Sequence, residues 1–186
     1  MKRRRKSTSG FTLTEIAIVL GVMGSVLAAI WVASSIVTLN SRTEKANAEI
    51  LTIYAGYKSI YATRAMDNTG DMTCMGAQGN VFPSEMIKKT CVPGDTTTFP
   101  VSPWNTPVQV NGVQASNQFD IMVYNLTKQA CINLASPFYN SPQVTTEYIG
   151  PYGAWTVFNG TATPAQITAT CANVTNNFVL FRFAAQ

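Results

Sequence analysis

The order of apolar and polar positions divides the chain into two kinds of sequence. From Phe11 to Val37 it is predominantly apolar, and Glu15 is the only charge. From Ile16 to Val37 the only polar side chains are Ser25, Ser34 and Ser35, which gives an uncharged run of 22 residues. About 20 residues of helix cross a bilayer, so this run can span one. Polar residues return at Asn40-Ser41-Arg42-Thr43, where no Pro or Gly breaks a helix. Over 44–66, Ile50, Ile53, Tyr54, Tyr57, Ile60 and Tyr61 recur at steps of three and four, predicting one apolar stripe. Lys45, Glu49, Thr52, Ser59 and Thr63 fall on other faces, with Lys45 and Glu49 as an i,i+4 pair. Asp67-Asn68-Thr69-Gly70 reads as the stop. A continuous helix from Phe11 to Met66 would be about 80 Å long. Its first half would expose apolar surface to water, which is tenable only in a membrane or in a bundle of like helices.

Beyond Gly70 the pattern shortens, punctuated by Pro, Gly, Asn and Thr. Residues 71–106 read as an irregular loop with a short helix near Ser84–Lys89. Pro107–Val110 and Phe119–Tyr124 read as strands around an Asn111-Gly112 turn. Thr127–Ala135 is expected to be a short helix carrying Cys131, and Ala154–Phe158 a strand. Asn177–Phe183 is expected to be the final strand, with Phe181 and Phe183 on the face opposite Leu180. The class is therefore α+β: strands packed against the second half of a long helix.

Composition sharpens this picture. Of the 13 basic residues, Lys2, Arg3, Arg4, Arg5 and Lys6 supply five, and all nine acidic residues lie beyond them. Without this leader, eight basic residues face nine acidic ones, so the formal charge of +4 belongs to the leader and not to a nucleic-acid-binding surface. A basic cluster before a spanning segment stays cytoplasmic and places the remainder outside. The sequence has no histidine, the commonest general acid or base and metal ligand, and it shows no nucleophile motif or metal cluster. No catalytic residue, metal or cofactor is expected. The four cysteines lack a C-x-x-C pair and fit two disulfides in an oxidising compartment. An ordinary secretory signal, cleaved near Ala33-Ser34, or a plain membrane anchor would explain the apolar run but not Glu15. A carboxylate near the start of a spanning helix is costly and usually functional. Cleavage between Gly10 and Phe11 would give Phe11 a free amine, and a neighbouring copy could present that amine to Glu15 in one axial register.

Gly10-Phe11-Thr12-Leu13-Thr14-Glu15 resembles the processing signal of type IV pilins: a basic leader, Gly, a hydrophobic residue, and Glu at the fifth place after the cut. Ile16 to Ser25 continues the match and is most similar to type IVb pilins. Val32 stands where type IVa pilins usually have a kinking proline. The ten-residue leader is shorter than the type IVb norm. The resemblance implies that a prepilin peptidase cuts after Gly10 and methylates Phe11, and that an assembly ATPase and a membrane platform protein build subunits into a helical homopolymer. It implies no cofactor, an inner-membrane precursor and an extracellular filament for adhesion, aggregation, DNA transfer or motility. The implied layout is a leader over 1–10, an assembly helix over 11–38, the amphipathic half of that helix over 39–68 and a globular head over 69–186. A minor pilin, a secretion pseudopilin and a non-polymerising anchored binding domain are the alternatives. Gly21 and Gly24 read equally as close helix packing or as a weak point that lets the helix stretch. Four cysteines allow three pairings. Cys74 with Cys91 and Cys131 with Cys171 is the expected pairing, the second resembling the C-terminal disulfide loop of pilins. Asn125, Asn159 and Asn173 begin glycosylation triplets. Trp104, Tyr139, Tyr148, Tyr152 and Trp155 are loop aromatics suited to core, subunit contact or receptor contact.

Overall fold

The computed structural model describes residues 12–62, 70–113 and 117–185. They fall into two units, Met1–Ser41 and Arg42–Gln186. Helix α1 spans Leu13–Tyr61 and contributes to both. Gly10, Phe11 and the expected stop at Asp67-Asn68-Thr69 lie outside the described residues, as does the stretch expected to carry the helix to Met66.

The second unit is built on the amphipathic end of α1. Ala46, Glu49, Ile50, Ile53, Tyr57 and Tyr61 are buried. Ile60, expected on that stripe, is instead 39% exposed. Against this face lies a six-stranded antiparallel sheet of order β1-β2-β3-β6-β4-β5. Its strands are β1 (Gly70–Asp71), β2 (Val108–Val113), β3 (Gln118–Leu126), β4 (Val144–Pro151), β5 (Thr156–Asn159) and β6 (Asn177–Ala184). The last strand in the chain is thus a central one, paired with β3 on one side and β4 on the other. Period-two alternation sorts its side chains. Phe181 and Phe183 are fully buried toward α1, while Phe178 and Leu180 join Met122 in a smaller cluster on the opposite face. Tyr54 packs on Phe183 at 4.8 Å, Tyr57 on Phe119 at 5.4 Å and Phe138 on Phe181 at 4.3 Å between ring centroids. Such pairs add about 0.5–1.5 kcal/mol each beyond the area they bury.

Three expectations need correction. Asn111-Gly112 is not a turn: both residues lie inside β2, opposite Asp120 and Phe119. The register is set by Val108 and Val110, which must share a buried face with their partners Val123 and Ile121. Register follows the buried pattern, so a local turn signal yields to it. Residues 71–106 are more ordered than a loop. They hold helix α2 (Thr73–Gln78) and 3-10 turns at Ser84–Met86 and Thr96–Thr98, the first standing where a short α-helix was expected. Finally, β4 and helix α4 (Pro164–Thr170) occur where no element was expected. In β4 a glutamate, Glu147, occupies a fully buried position and breaks the apolar alternation. Helix α4 buries only Ile167, yet it opens on a capping box between Thr163 and Gln166 with Pro at the first turn. Helix α3 (Lys128–Ala135) is capped by Thr127, whose hydroxyl accepts from the Ala130 N–H.

Two disulfides, Cys74–Cys91 and Cys131–Cys171, tie the outer helices down. The first anchors α2, and the second joins α3 to the end of α4. Tyr57 donates its hydroxyl to the Met72 carbonyl at 2.7 Å, and that hydroxyl fills the space a Cβ at Gly76 would need. Gly76→Ala should therefore overpack the core and destabilise the head by about 1–3 kcal/mol, read as a lower thermal midpoint. An unchanged midpoint would mean that Tyr57 shifts freely.

Candidate functional site

The first unit presents a surface without internal cover. Every side chain from Thr12 to Thr38 is exposed, including Ile16, Leu20, Leu27 and Trp31, the last at 82%. An 18-residue window of this helix has a mean hydropathy of 2.5. Its hydroxyls turn inward onto the backbone: Ser25 bonds the Val22 carbonyl, Ser35 that of Val32 and Thr38 that of Ser34, all at 2.8–2.9 Å. Such bonds let polar side chains sit in an apolar medium. A Cβ added at Gly21 or Gly24 would meet nothing within 4 Å, so the chain's own packing does not require glycine at either place.

Glu15 has a local partner that the sequence reading missed. The Thr12 hydroxyl is 3.4 Å from the Glu15 N–H, and Glu15 Oε2 accepts from the Thr12 N–H at 2.8 Å and from its hydroxyl at 2.9 Å. This is a capping box, and Thr12-x-x-Glu15 spells it in the sequence. Glu15 therefore satisfies the N–H and hydroxyl of the capping residue Thr12 through one oxygen. Among the described residues, no hydrogen bond engages Oε1.

Two glutamates in the head are unexpectedly buried. Glu147 is 0% exposed, and its Oε2 accepts the Ala162 N–H at 2.6 Å. Burial pushes its carboxyl up to about 7, with the Ala162 N–H opposing. That bond holds the segment leading into α4. Glu49, on α1, is likewise pushed up to about 7 by burial, with Lys45 at 3.9 Å opposing. On the outer face of the sheet, Arg182 clamps Asp120 through two bonds of 2.7 and 2.8 Å and stacks over Tyr148. The aromatics of the loops divide: Trp104 packs on the main core and Tyr148 on the outer cluster, whereas Tyr139, Tyr152 and Trp155 are exposed. Asn125, Asn159 and Asn173 are all exposed. No group of three or more metal-ligating side chains occurs among the described residues.

Residues 40–184 match the family model described as PilS N terminal. A comparison with curated proteins gives no match. Among solved structures, the type IV b pilin from Salmonella typhi aligns with a TM-score of 0.54 at 14% identity, covering 77% of this chain and 98% of that one. TcpA, a type IV pilin from Vibrio cholerae El Tor biotype, aligns with a TM-score of 0.54 at 14% identity, covering 77% and 99%. At such identity the likeness is one of fold: an α+β pilin fold of the type IVb kind.

Glu147 binds its proton more tightly in the folded head than the ordinary 4.5 of an unfolded chain. Its contribution is complete below about 4.5 and is lost as pH rises through about 7. Glu147→Gln keeps an acceptor for Ala162 and has no proton to lose. Thermal unfolding between pH 5 and 8 should show the variant gaining on the wild type as pH rises, by up to about 1.4 kcal/mol for each unit the pKa is raised. Parallel profiles would mean that Glu147 titrates normally.

Proposed function

Because the chain belongs to the PilS N-terminal family and carries the type IVb pilin fold, we propose that it is the structural subunit of a type IV pilus, polymerising through the first half of α1. The observation that carries this reading is the bilayer-length surface from Ile16 to Val37, uncharged and exposed on every side, beginning one residue after Glu15. A helix apolar all round needs lipid or like helices around it. The precursor is held in the inner membrane with its basic leader on the cytoplasmic side. A prepilin peptidase cuts between Gly10 and Phe11 and methylates the Phe11 amine, which stays basic. An assembly ATPase and a membrane platform protein then move the subunit into an extracellular homopolymer. The filament serves adhesion, aggregation, DNA transfer or motility, and the chain performs no catalysis.

Within that filament Glu15 has two duties. Oε2 closes the capping box with Thr12, and Oε1 is open to the Phe11 ammonium of an adjacent copy. A buried pair of opposite charges, each costly alone, fixes one register. Gly21 and Gly24 leave an open strip where a neighbouring helix approaches closely, or where the helix stretches during assembly.

Mass spectrometry of sheared surface filaments should find this chain as the dominant component, beginning at a methylated Phe11. An intact Met1, or a start after Ala33, would remove the pilus reading. The two duties of Glu15 are separable. Glu15→Gln keeps a capping acceptor but loses the charge, whereas Thr12→Ala loses the cap, at about 0.5–2 kcal/mol of helix stability, and keeps the charge. Filaments should be lost in the first variant and retained in the second. The reverse outcome would show that Glu15 acts through helix capping alone.

A further inference from the structure

The outer face of the head sheet carries a groove lined only by residues of the head. It has a volume of about 310 Å³, and Tyr124, Tyr152, Gln109, Asn125, Asn176 and Thr96 line it. None of these is charged. Tyr124 and Gln109 are locked together, the tyrosine hydroxyl donating to Gln109 Oε1 at 2.7 Å. A bulge in β3 between Val123 and Leu126 sets Asn125 at the groove, with a positive φ of 54° that asparagine tolerates. Among the described residues, no hydrogen bond engages the side-chain amides of Asn125 and Asn176 or the hydroxyls of Thr96 and Tyr152.

Tyr152 is the distinctive member. It is 62% exposed, yet three rings brace it: Tyr124 at 5.8 Å, Trp155 at 5.8 Å and the buried Phe178 edge-on at 6.0 Å. An exposed ring held in place by its neighbours loses little freedom on binding, so it is a pre-organised platform. Amides each offer two donors and an acceptor, and hydroxyls offer both functions. A flat apolar platform beside unengaged amides and hydroxyls, with no charge, complements one chemistry well. A pyranose presents an apolar C–H face and a rim of hydroxyls that both donate and accept. An anion would find no cation here, and a lipid tail would leave the amides unpaired. The volume suits one or two sugar rings and stands at the small end of ligand sites.

We infer that this groove is a binding site for a neutral carbohydrate, with Tyr152 stacking on the sugar face and Asn125, Asn176 and Thr96 engaging its hydroxyls. The site lies within the head and does not depend on polymerisation. It is tested on the full chain in a zwitterionic detergent free of sugar headgroups. The probe is an array of neutral oligosaccharides of glucose, galactose, N-acetylglucosamine and N-acetylgalactosamine, printed beside their sialylated and sulfated counterparts. Hits are titrated by tryptophan fluorescence, since Trp155 adjoins Tyr152. Neutral glycans should bind, and Tyr152→Ala should weaken them by about tenfold or more. Tyr152→Phe should retain the stacking, and Asn176→Ala should cost about three- to tenfold. Thermal unfolding should be unchanged in Tyr152→Phe and Asn176→Ala, while Tyr152→Ala, which also loses three ring contacts, should still unfold cooperatively well above the temperature of the binding assay. The inference is overturned by retention of anionic glycans alone, by no retention, or by equal affinity in Tyr152→Ala. Loss of filaments in cells carrying Tyr152→Ala would also overturn it, because the groove would then be a contact between subunits.

Discussion

One helical surface has to be covered, and the rest of the chain is arranged around that need. Between Ile16 and Val37 no side chain is charged and each is exposed. Apolar area is worth about 25 cal/mol per Å² when it leaves water, so the surface has a strong drive toward any dry neighbour. Lipid and a bundle of like helices are equivalent covers in this respect. From Arg42 onward α1 changes character. Ala46, Ile50, Ile53 and Tyr57 bury one side, and Arg42, Lys45 and Thr52 leave the other in contact with water. A single element thereby serves two solvents, and the change occurs at the polar turn Asn40–Thr43.

Carboxylates show how the chain treats charge at low polarity. Glu15, Glu49 and Glu147 sit where a free carboxylate is unfavourable or would be once the helix is covered. Glu15 shares one oxygen with the helix start, Glu49 leans on Lys45 at 3.9 Å, and Glu147 takes a single backbone N–H and moves up to about 7. Only Glu147 lies on a strand, where it fastens the entry to α4 to the sheet core. Asp120 is the contrast. Arg182 neutralises it with a bidentate clamp on the outer face, the geometry that best offsets desolvation.

Legibility in the sequence followed the strength of the local signal. The long helix, its change at Asn40–Thr43, β3 and β6 were readable because their apolar periods are regular over many residues. The opposed faces of Phe181 and Leu180 followed from alternation alone. The hairpin turn was misplaced because Asn111-Gly112 is a strong local signal, and only the pairing of Val108 and Val110 with β3 overrules it. Strand β4 was hidden by Glu147, which puts an acid where the pattern calls for an apolar residue. Helix α4 was hidden by its single buried side chain, although Thr163-Pro164-Ala165-Gln166 spelled its start. The Thr12–Glu15 capping box was equally open to reading, but the cost of an acid in the membrane drew attention to distant partners first. The groove on the outer face was not legible at all. Its lining comes from five separate segments, and only the sheet order brings them together.

That sheet order also constrains when the head can exist. Because β6 lies between β3 and β4, the two halves of the sheet have no pairing with each other until residues 177–184 arrive. One of the aromatic contacts that seat α1, Tyr54 on Phe183, depends on the same strand, while Tyr57 on Phe119 rests on β3. Long-range closure of this kind is slow, since loop entropy is lost before the pairing compensates it. The Cys131–Cys171 bridge joins α3 to the end of α4 just ahead of β6, shortening the loop that the last strand must close. The bridge therefore favours insertion of β6 as well as stabilising the finished head. A head built in this order is complete only once residues 177–184 have paired with both β3 and β4.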